Sequence, residues 1–119
     1  MARHKINQLV KHSVAGLDDV YAAISHPVRR GLLERLRPRG ATVTQLAAHY
    51  PMSLVAVSKH IRVLEHAGLV RRRVKGRQHH LSLEPGPLVT AAAWLDSYRK
   101  FWEERLDLLD ARIRARKPR

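Results

Sequence analysis

Apolar residues recur at helical spacing between Ser53 and Gly68. The positions that share one face, three and four residues apart, are Leu54, Val57, Ile61 and Leu64. Ser53 can cap the first turn, because a serine oxygen accepts the free backbone N–H groups there, and Gly68 suits the left-handed position after the last turn. The opposite face carries short side chains near its start and basic side chains further along, and Glu65 is the only acid in the helix. Because a solvated helix surface usually mixes both signs of charge, this pattern indicates a polyanionic partner.

Two helices are predicted near the start of the chain. The first, at 17–24, has an apolar stripe and two aspartates in its first turn, where they complement the helix dipole. The second begins at Pro27, since proline suits the first helical position, and it runs to about Arg37. Gly31 lies inside this helix and costs about 1 kcal/mol relative to alanine, so a close contact with another helix would explain its presence.

A third, short helix is expected directly before the helix that starts at Ser53. Thr44 is predicted to cap it, it runs from Gln45 to about Tyr50, and a brief extended piece at 42–43 precedes it. Pro51 then interrupts the helical pattern. Two helices joined this tightly are typical of a helix-turn-helix.

Two strand-like segments, 69–74 and 78–83, follow Gly68 and are joined by Lys75, Gly76 and Arg77. Glycine in the short connection predicts a hairpin. The cations of this hairpin are Arg71, Arg72, Arg73, Lys75 and Arg77. A basic β-ribbon beside a helix-turn-helix is a wing, so the predicted fold is mostly α with a small β-hairpin, a winged helix-turn-helix.

The last predicted helix runs from about residue 88 to 115. Its apolar stripe contains both tryptophans and the only phenylalanine, and its main positions are Trp94, Tyr98, Trp102, Leu106, Leu109 and Ile113. A helix of ~28 residues is about 42 Å long, which is more than a domain of this size covers. We therefore expect part of the stripe to contact a second subunit.

Composition narrows the class of partner. The 119 residues suffice for one domain, and 23 lysines and arginines against 10 acids give a net charge of +13. Nucleic acid and anionic membrane surfaces are the partners that such a charge favours. The expected division is a basic arm at 1–15, one domain at 16–116 and a tail at 117–119. No membrane-length apolar run and no signal-peptide core stand out, so a soluble, cytoplasmic protein with no membrane partner is expected.

Enzyme and metal chemistry find little support in the residues. No nucleophile, base and acid arrangement and no glycine-rich phosphate loop stand out, so neither a catalytic residue nor a cofactor is predicted. The absence of cysteine excludes thiolate metal sites. His79 and His80 are adjacent in a strand and point to opposite faces, and we expect no metal there. A carboxylate-only site, or an N-terminal site that uses His4 or His12, stays open.

Nucleic-acid binding is the stronger interpretation. A helix in the major groove reads base edges from its first turns, where Val55 and Ala56 can touch a thymine methyl group. Lys59 can reach a base or a phosphate, and His60 is placed either to reach a phosphate or to satisfy a core neighbour. The residues expected to contact DNA are Ser53, Val55, Ala56, Ser58, Lys59, His60, Arg62, Lys75 and Arg77, and His66 is expected near the backbone.

Three stretches carry a resemblance to a known family. HPVRRGLLERL, TVTQLA and MSLVAVSKHIRVLEHAGLVRRRVKGRQHHLSL resemble the ArsR/SmtB family of bacterial winged helix-turn-helix repressors, over roughly 17–113. The ending AAAWLDSYRKFWEERLDLLD is similar to a metal-independent branch of that family.

The resemblance implies a homodimer that binds double-stranded DNA and represses transcription until an inducer weakens the complex. It implies recognition positions at 53, 55, 56 and 58–60, with Arg77 at the wing tip. The residues that it places at the dimer interface, with the aromatic stripe, are Leu17, Tyr21, Trp94, Tyr98, Phe101, Trp102, Leu106 and Leu109. Metal-sensing members carry a cysteine pair in the helix that begins with TVTQLA, or histidines in the last helix; this chain has neither. The effector is therefore expected to be non-thiol and is otherwise unknown.

Two other functions remain open at this point. A charge of +13 also supports a protein that coats nucleic acid without sequence preference. A winged helix can equally serve as a protein-interaction adaptor, because a fold does not fix a function.

Overall fold

The computed structural model describes residues 16–116, so the arm at 1–15, with His4 and His12, and the tail at 117–119 lie outside it. Helix α1 spans residues 16–24. The elements that follow are α2 (Pro27–Leu36), β1 (Ala41–Thr42), α3 (Val43–Ala47), α4 (Leu54–His66), β2 (Val70–Lys75), β3 (Gln78–Leu83) and α5 (Gly86–Arg116). This order confirms the mostly helical winged helix-turn-helix, and β1 adds a third strand to the predicted hairpin.

The second helix begins as expected, at Pro27, but its cap is a histidine. Nδ1 of His26 accepts the backbone N–H of Val28 at 3.1 Å, which satisfies one of the free donors of the first turn. Gly31 does have a close neighbour, although that neighbour lies after α3 and not in a helix: a Cβ at position 31 would lie 2.6 Å from the Tyr50 hydroxyl oxygen. Glycine therefore lets the segment after α3 approach α2 directly.

The third helix starts earlier than predicted. Its cap is Thr42 rather than Thr44, and it ends at Ala47. The Thr42 hydroxyl accepts the Gln45 N–H at 3.2 Å, while the Gln45 side chain accepts the Thr42 N–H at 2.9 Å. This reciprocal capping box needs a threonine and a glutamine three residues apart, a spacing that Thr42 provides and Thr44 does not.

Both ends of α4 agree with the prediction. Ser53 Oγ accepts the Ala56 N–H at 3.1 Å. At the other end, Gly68 adopts a φ of 76°, and the N–H groups of Gly68 and Leu69 donate to the carbonyls of Glu65 and Leu64, each at 2.9 Å. These two bonds form a Schellman motif, which requires a left-handed residue at Gly68. The chain turns sharply there and enters β2.

The three strands form one antiparallel sheet in the order β1-β3-β2. Lys75 pairs with Gln78, so Gly76 and Arg77 alone make the turn. Gly76 has a φ of 61°, and no non-glycine residue of the described chain has a positive φ, which is the pattern of a type II′ hairpin turn. A two-residue turn fixes the register and with it the position of Arg77.

One apolar core joins the elements up to the start of α5. Its side chains come from every helix and from the sheet, and the largest that are fully buried are Leu32, Leu46, Ile61, Leu64, Leu69 and Leu81. Helix α5 starts at Gly86, two residues before the predicted start, because Pro87 fits within its first turn. Of α5, Ala91 is the residue that is buried, so most of this helix lies outside the core.

Candidate nucleic-acid interface

The first turns of α4 present an open surface. Ser53, Val55 and Lys59 are exposed, and Ala56 and Ser58 are half-buried. Leu54 was expected on the buried face, and that expectation is wrong: its side chain is 51% exposed. Leu54 is the first residue of α4, and it adds an apolar side chain to the accessible surface.

A groove runs between the start of α3, the start of α4 and the wing. The side chains that line it include Thr44, Leu54, Ser58 and Arg77. Ser58 and Arg77 were predicted as DNA-contacting residues from two separate elements, and the fold brings them to one groove. A polar hydroxyl, an apolar side chain and a cation thus line the same concave surface.

The wing carries its cations on both faces of the hairpin. Lys75 and Arg77 are exposed at its tip. Residues two apart in a strand point to the same side, so Arg71 and Arg73 share the face of Lys75, while Arg72 faces α4. The nearest acid to Arg71 is Glu84, at 3.9 Å, a long ion pair between exposed side chains that contributes little.

Arg72 is engaged within the protein. Its Nη2 donates to Glu65 Oε1 at 2.7 Å and its Nε donates to Glu65 Oε2 at 3.2 Å, while Nη1 lies 3.0 Å from His79 Nδ1. The Arg72 and Glu65 side chains are 24% and 26% exposed. This two-bond ion pair links α4 to β2 and fixes the wing relative to the helix.

His60 is half-buried and contacts two residues near the start of α2. Its Nδ1 lies 3.1 Å from Arg29 Nη1, and its ring centroid lies 4.5 Å from that of His26. Burial lowers the pKa of His60, and the neighbouring His26 and Arg29 lower it further. Of the two roles that the sequence left open for His60, the contact with a neighbour in the protein is present.

The far end of α4 is also basic. Arg62 is exposed, and Nε2 of the exposed His66 lies 3.7 Å from Asp19 Oδ2 on α1. Arg62 therefore extends the basic surface toward the C-terminal end of α4, where His66 lies beside an acid of α1.

A second exposed surface lies on α1 and α5. The Tyr21 hydroxyl donates to the Ala91 carbonyl at 3.0 Å. The Tyr21 and Trp94 rings pack edge to face, with their centroids 6.1 Å apart. Leu17 and Tyr21 are half-buried. The α5 residues that were predicted at the dimer interface are 45–59% exposed: Trp94, Tyr98, Phe101, Trp102, Leu106 and Leu109. Arg105 lies over the Phe101 ring, 4.5 Å from its centroid.

Within residues 16–116, no group of three histidine, aspartate or glutamate side chains is placed to hold a metal ion. The same range contains no helix with the length and apolarity to cross a bilayer.

Two contacts were missed at the sequence level. The alternation of β2 could have placed Arg72 opposite Glu65, the one acid of α4, had the two elements been considered together. The contact of Arg29 with His60 joins residues 31 positions apart, and no local pattern signals it.

Comparisons with known proteins agree with this geometry. A family described as a helix-turn-helix domain matches residues 24–73. The chain is 35% identical over 89 residues to the HTH-type transcriptional regulator Rv2034 of Mycobacterium tuberculosis, covering 75% of this chain and 80% of that protein. It is 29% identical over 79 residues to the transcriptional repressor SdpR of Bacillus subtilis, covering 66% of this chain and 88% of that protein. A crystal structure of an ArsR family transcriptional regulator superposes with a TM-score of 0.72 at 35% identity, over 75% of this chain and 92% of that chain.

Proposed function

The chain belongs to the ArsR family of DNA-binding transcriptional regulators, and on that premise we propose that it represses transcription as a homodimer on a palindromic operator. The observation that carries this proposal is the groove that Ser58 of α4 and Arg77 of the wing share. A helix can read base edges, and a wing can bind phosphates. Because both elements border one concave surface, they can contact the same duplex.

The division of labour within this surface follows from side-chain chemistry. Ser53 and Ser58 offer hydroxyls to base edges, and Val55 and Ala56 offer methyl groups to thymine. Lys59 stands at the boundary between bases and backbone. Cations further out contact phosphates, which position the protein without reading sequence; they are Arg62, Lys75 and Arg77.

The uncovered stripe of α5 supports the proposed dimer. Its apolar side chains, from Trp94 to Leu109, are about half exposed, and a continuous aromatic surface of this kind marks an interaction site. A second copy that packs α5 and α1 against their equivalents would bury it. The two α4 helices then need to lie about 34 Å apart to enter successive major grooves.

The signal that releases the repressor is proposed to be non-thiol. The chain has no cysteine, and α5 has no histidine, so the thiolate and last-helix histidine sites of metal sensors are not available to it. We place the chain in a metal-independent branch, with an effector that its sequence does not identify.

Operator selection followed by footprinting tests the proposal. Purified protein should enrich one inverted repeat from random duplexes and protect two half-sites related by two-fold symmetry. Protection without sequence preference, with a specificity ratio near one over competitor DNA, would instead support a nucleic-acid-coating protein, which the +13 charge favours. No binding even at low salt would leave the adaptor function.

A further inference from the structure

We propose that Arg29 is a positioning residue for DNA binding, which holds His60 as a neutral hydrogen-bond donor toward the duplex. The proposal rests on the proposed function, because it assigns a role to a residue of the same DNA-binding surface. Nothing in the pattern of α4 alone points to Arg29, which lies on α2 and was not among the predicted contacts.

The end of α1 fixes the orientation of the Arg29 guanidinium. Its Nε donates to the Ala23 carbonyl at 2.7 Å and its Nη2 donates to the Ala22 carbonyl at 3.0 Å. The last carbonyls of a helix lack partners within the helix, so they accept from groups outside it. The Ala22 carbonyl also accepts the Ser25 hydroxyl at 2.6 Å, and Arg29 shares that acceptor. With Nε and Nη2 held, Nη1 is directed at His60 Nδ1, 3.1 Å away.

This contact determines the tautomer of His60. A guanidinium group donates and never accepts, so His60 Nδ1 must present its lone pair and the ring proton resides on Nε2. Among residues 16–116, Nε2 has no hydrogen-bond partner within the protein, and no buried side-chain polar atom in this range lacks a partner. Nε2–H therefore reaches the surface of α4, one residue from Lys59.

The surroundings also keep His60 uncharged. Burial, the His26 ring and the Arg29 charge all lower the pKa of His60 below its usual value of 6.5. Both groups that act on its charge come from the start of α2, and His26 is itself held by accepting the Val28 N–H. At neutral pH His60 therefore offers a directed hydrogen bond to DNA and releases no counterion.

Two arginine-to-glutamine substitutions distinguish the positioning of His60 from a general contribution to the stability of α1. Arg30 also caps α1, through Nη1 and the Ile24 carbonyl at 2.8 Å, and its hydrogen bond involves α1 rather than His60. Arg29→Gln and Arg30→Gln each remove one charge and one set of contacts to α1. Arg29→Gln removes the His60 contact as well, so Arg30→Gln is the matched control.

Imidazole nitrogen NMR on the full chain without DNA tests the first step. In the wild type and in Arg30→Gln, His60 should be the Nε2–H tautomer at pH 7.5 and should titrate below 6.5. In Arg29→Gln the ring should populate both tautomers and its pKa should rise. A wild-type ring with its proton on Nδ1, or an Arg29→Gln spectrum like that of the wild type, overturns the proposal.

Affinity for the selected operator tests the second step. At pH 7.5, Arg29→Gln and His60→Ala should each weaken binding about tenfold, the usual range for one lost hydrogen bond, and combining them should cost no more than either alone. His60→Ala should leave the dependence of affinity on salt unchanged, because a neutral donor displaces no counterion. Additive losses, or unchanged affinity in Arg29→Gln, would refute the positioning role.

The two proposals fail in different ways. If the wild type selects no inverted repeat, the repressor proposal fails while the NMR result stands by itself. If the repeat is selected but His60 shows the wrong tautomer, the inference about Arg29 fails and the repressor proposal is unaffected. Circular dichroism melting of each variant confirms that it is folded before either comparison.

Discussion

Helices α4 and α5 both carry a regular apolar stripe, yet only α4 covers its stripe within its own chain, with the exception of Leu54 at its start. Val57, Ile61 and Leu64 of α4 are at most 1% exposed. In α5, Ala91 is buried and the side chains that follow it are open to solvent. Helical periodicity therefore shows that an apolar face needs to be covered. It does not show whether the same chain or another chain covers it.

The lengths of the two helices account for this difference. Helix α4 has 13 residues and lies across α2, α3 and β2. Helix α5 has 31 residues, which span about 46 Å, and the rest of the domain meets only its first turns. In proteins, most of the stability of an amphipathic helix comes from packing on its apolar face.

The largest effect is expected from Leu64→Ala. Leu64 is fully buried, so its truncation should lower the free energy of unfolding by about 2–5 kcal/mol at every protein concentration. Leu106→Ala makes the same chemical change at a side chain that is 59% exposed, and should lower stability only where the protein is dimeric. Chemical denaturation at two protein concentrations measures both losses of stability. Equal losses in the two variants would contradict the difference between the two helices.

Trp102→Glu is expected to split the dimer. It removes a large aromatic side chain and places a charge in the interface, which should raise the dimer dissociation constant about 100-fold or more. Ala111→Glu adds the same charge on the opposite side of α5 and is the control, with little change expected. Sedimentation velocity measures the association state, and an intact Trp102→Glu dimer would show that this stripe is not the interface.

A smaller effect is expected where α4 contacts the wing. Arg72→Gln and Glu65→Gln each break the pair that joins these elements, and each should lower the free energy of unfolding by about 1–3 kcal/mol. The double variant should lose less than the sum of the two single losses, and a double-mutant cycle measures this coupling. Zero coupling would mean that the wing is held by its apolar contacts alone.

The smallest effect concerns the exposed tip of the wing. Arg77→Gln should lower operator affinity modestly and reduce the slope of log affinity against log salt by about one unit. Arg99→Gln removes an arginine that pairs with Asp96 near the middle of α5, and should leave the slope unchanged. Fluorescence anisotropy over a range of salt concentrations measures both, and equal slopes in the two variants would remove Arg77 from the phosphate contacts.

The sequence predicted what depends on neighbouring residues. The caps at Ser53 and Gly68 and the hairpin turn at Gly76 follow from local chemistry, and the structure confirms them. The predicted start of α3 was wrong because Thr42 and Thr44 can each cap a helix. Only Thr42 is followed by a glutamine at the correct spacing, and that glutamine decides between them. The exposure of Leu54 could not be predicted, because it depends on how far the rest of the domain reaches along α4.

The candidate site divides in the same way. The side of α4 on which Val55 and Lys59 lie could be derived from its period. The engagement of Arg72 and Arg29 within the protein could not, since each contacts a residue on another element, and three-dimensional packing alone brings them together. Because Arg72 is engaged within the protein, the hairpin has one cation fewer available to DNA than its sequence suggests.

The contact between Gly31 and Tyr50 limits how this sequence can change over time. A methyl group at position 31 would lie 2.6 Å from the Tyr50 hydroxyl oxygen, while alanine there would favour the helix by about 1 kcal/mol. Each substitution changes the effect of the other, so positions 31 and 50 are epistatic. Homologous sequences should therefore tend to show a larger residue at 31 together with a residue other than tyrosine at 50, a pairwise covariation that neither position would show alone.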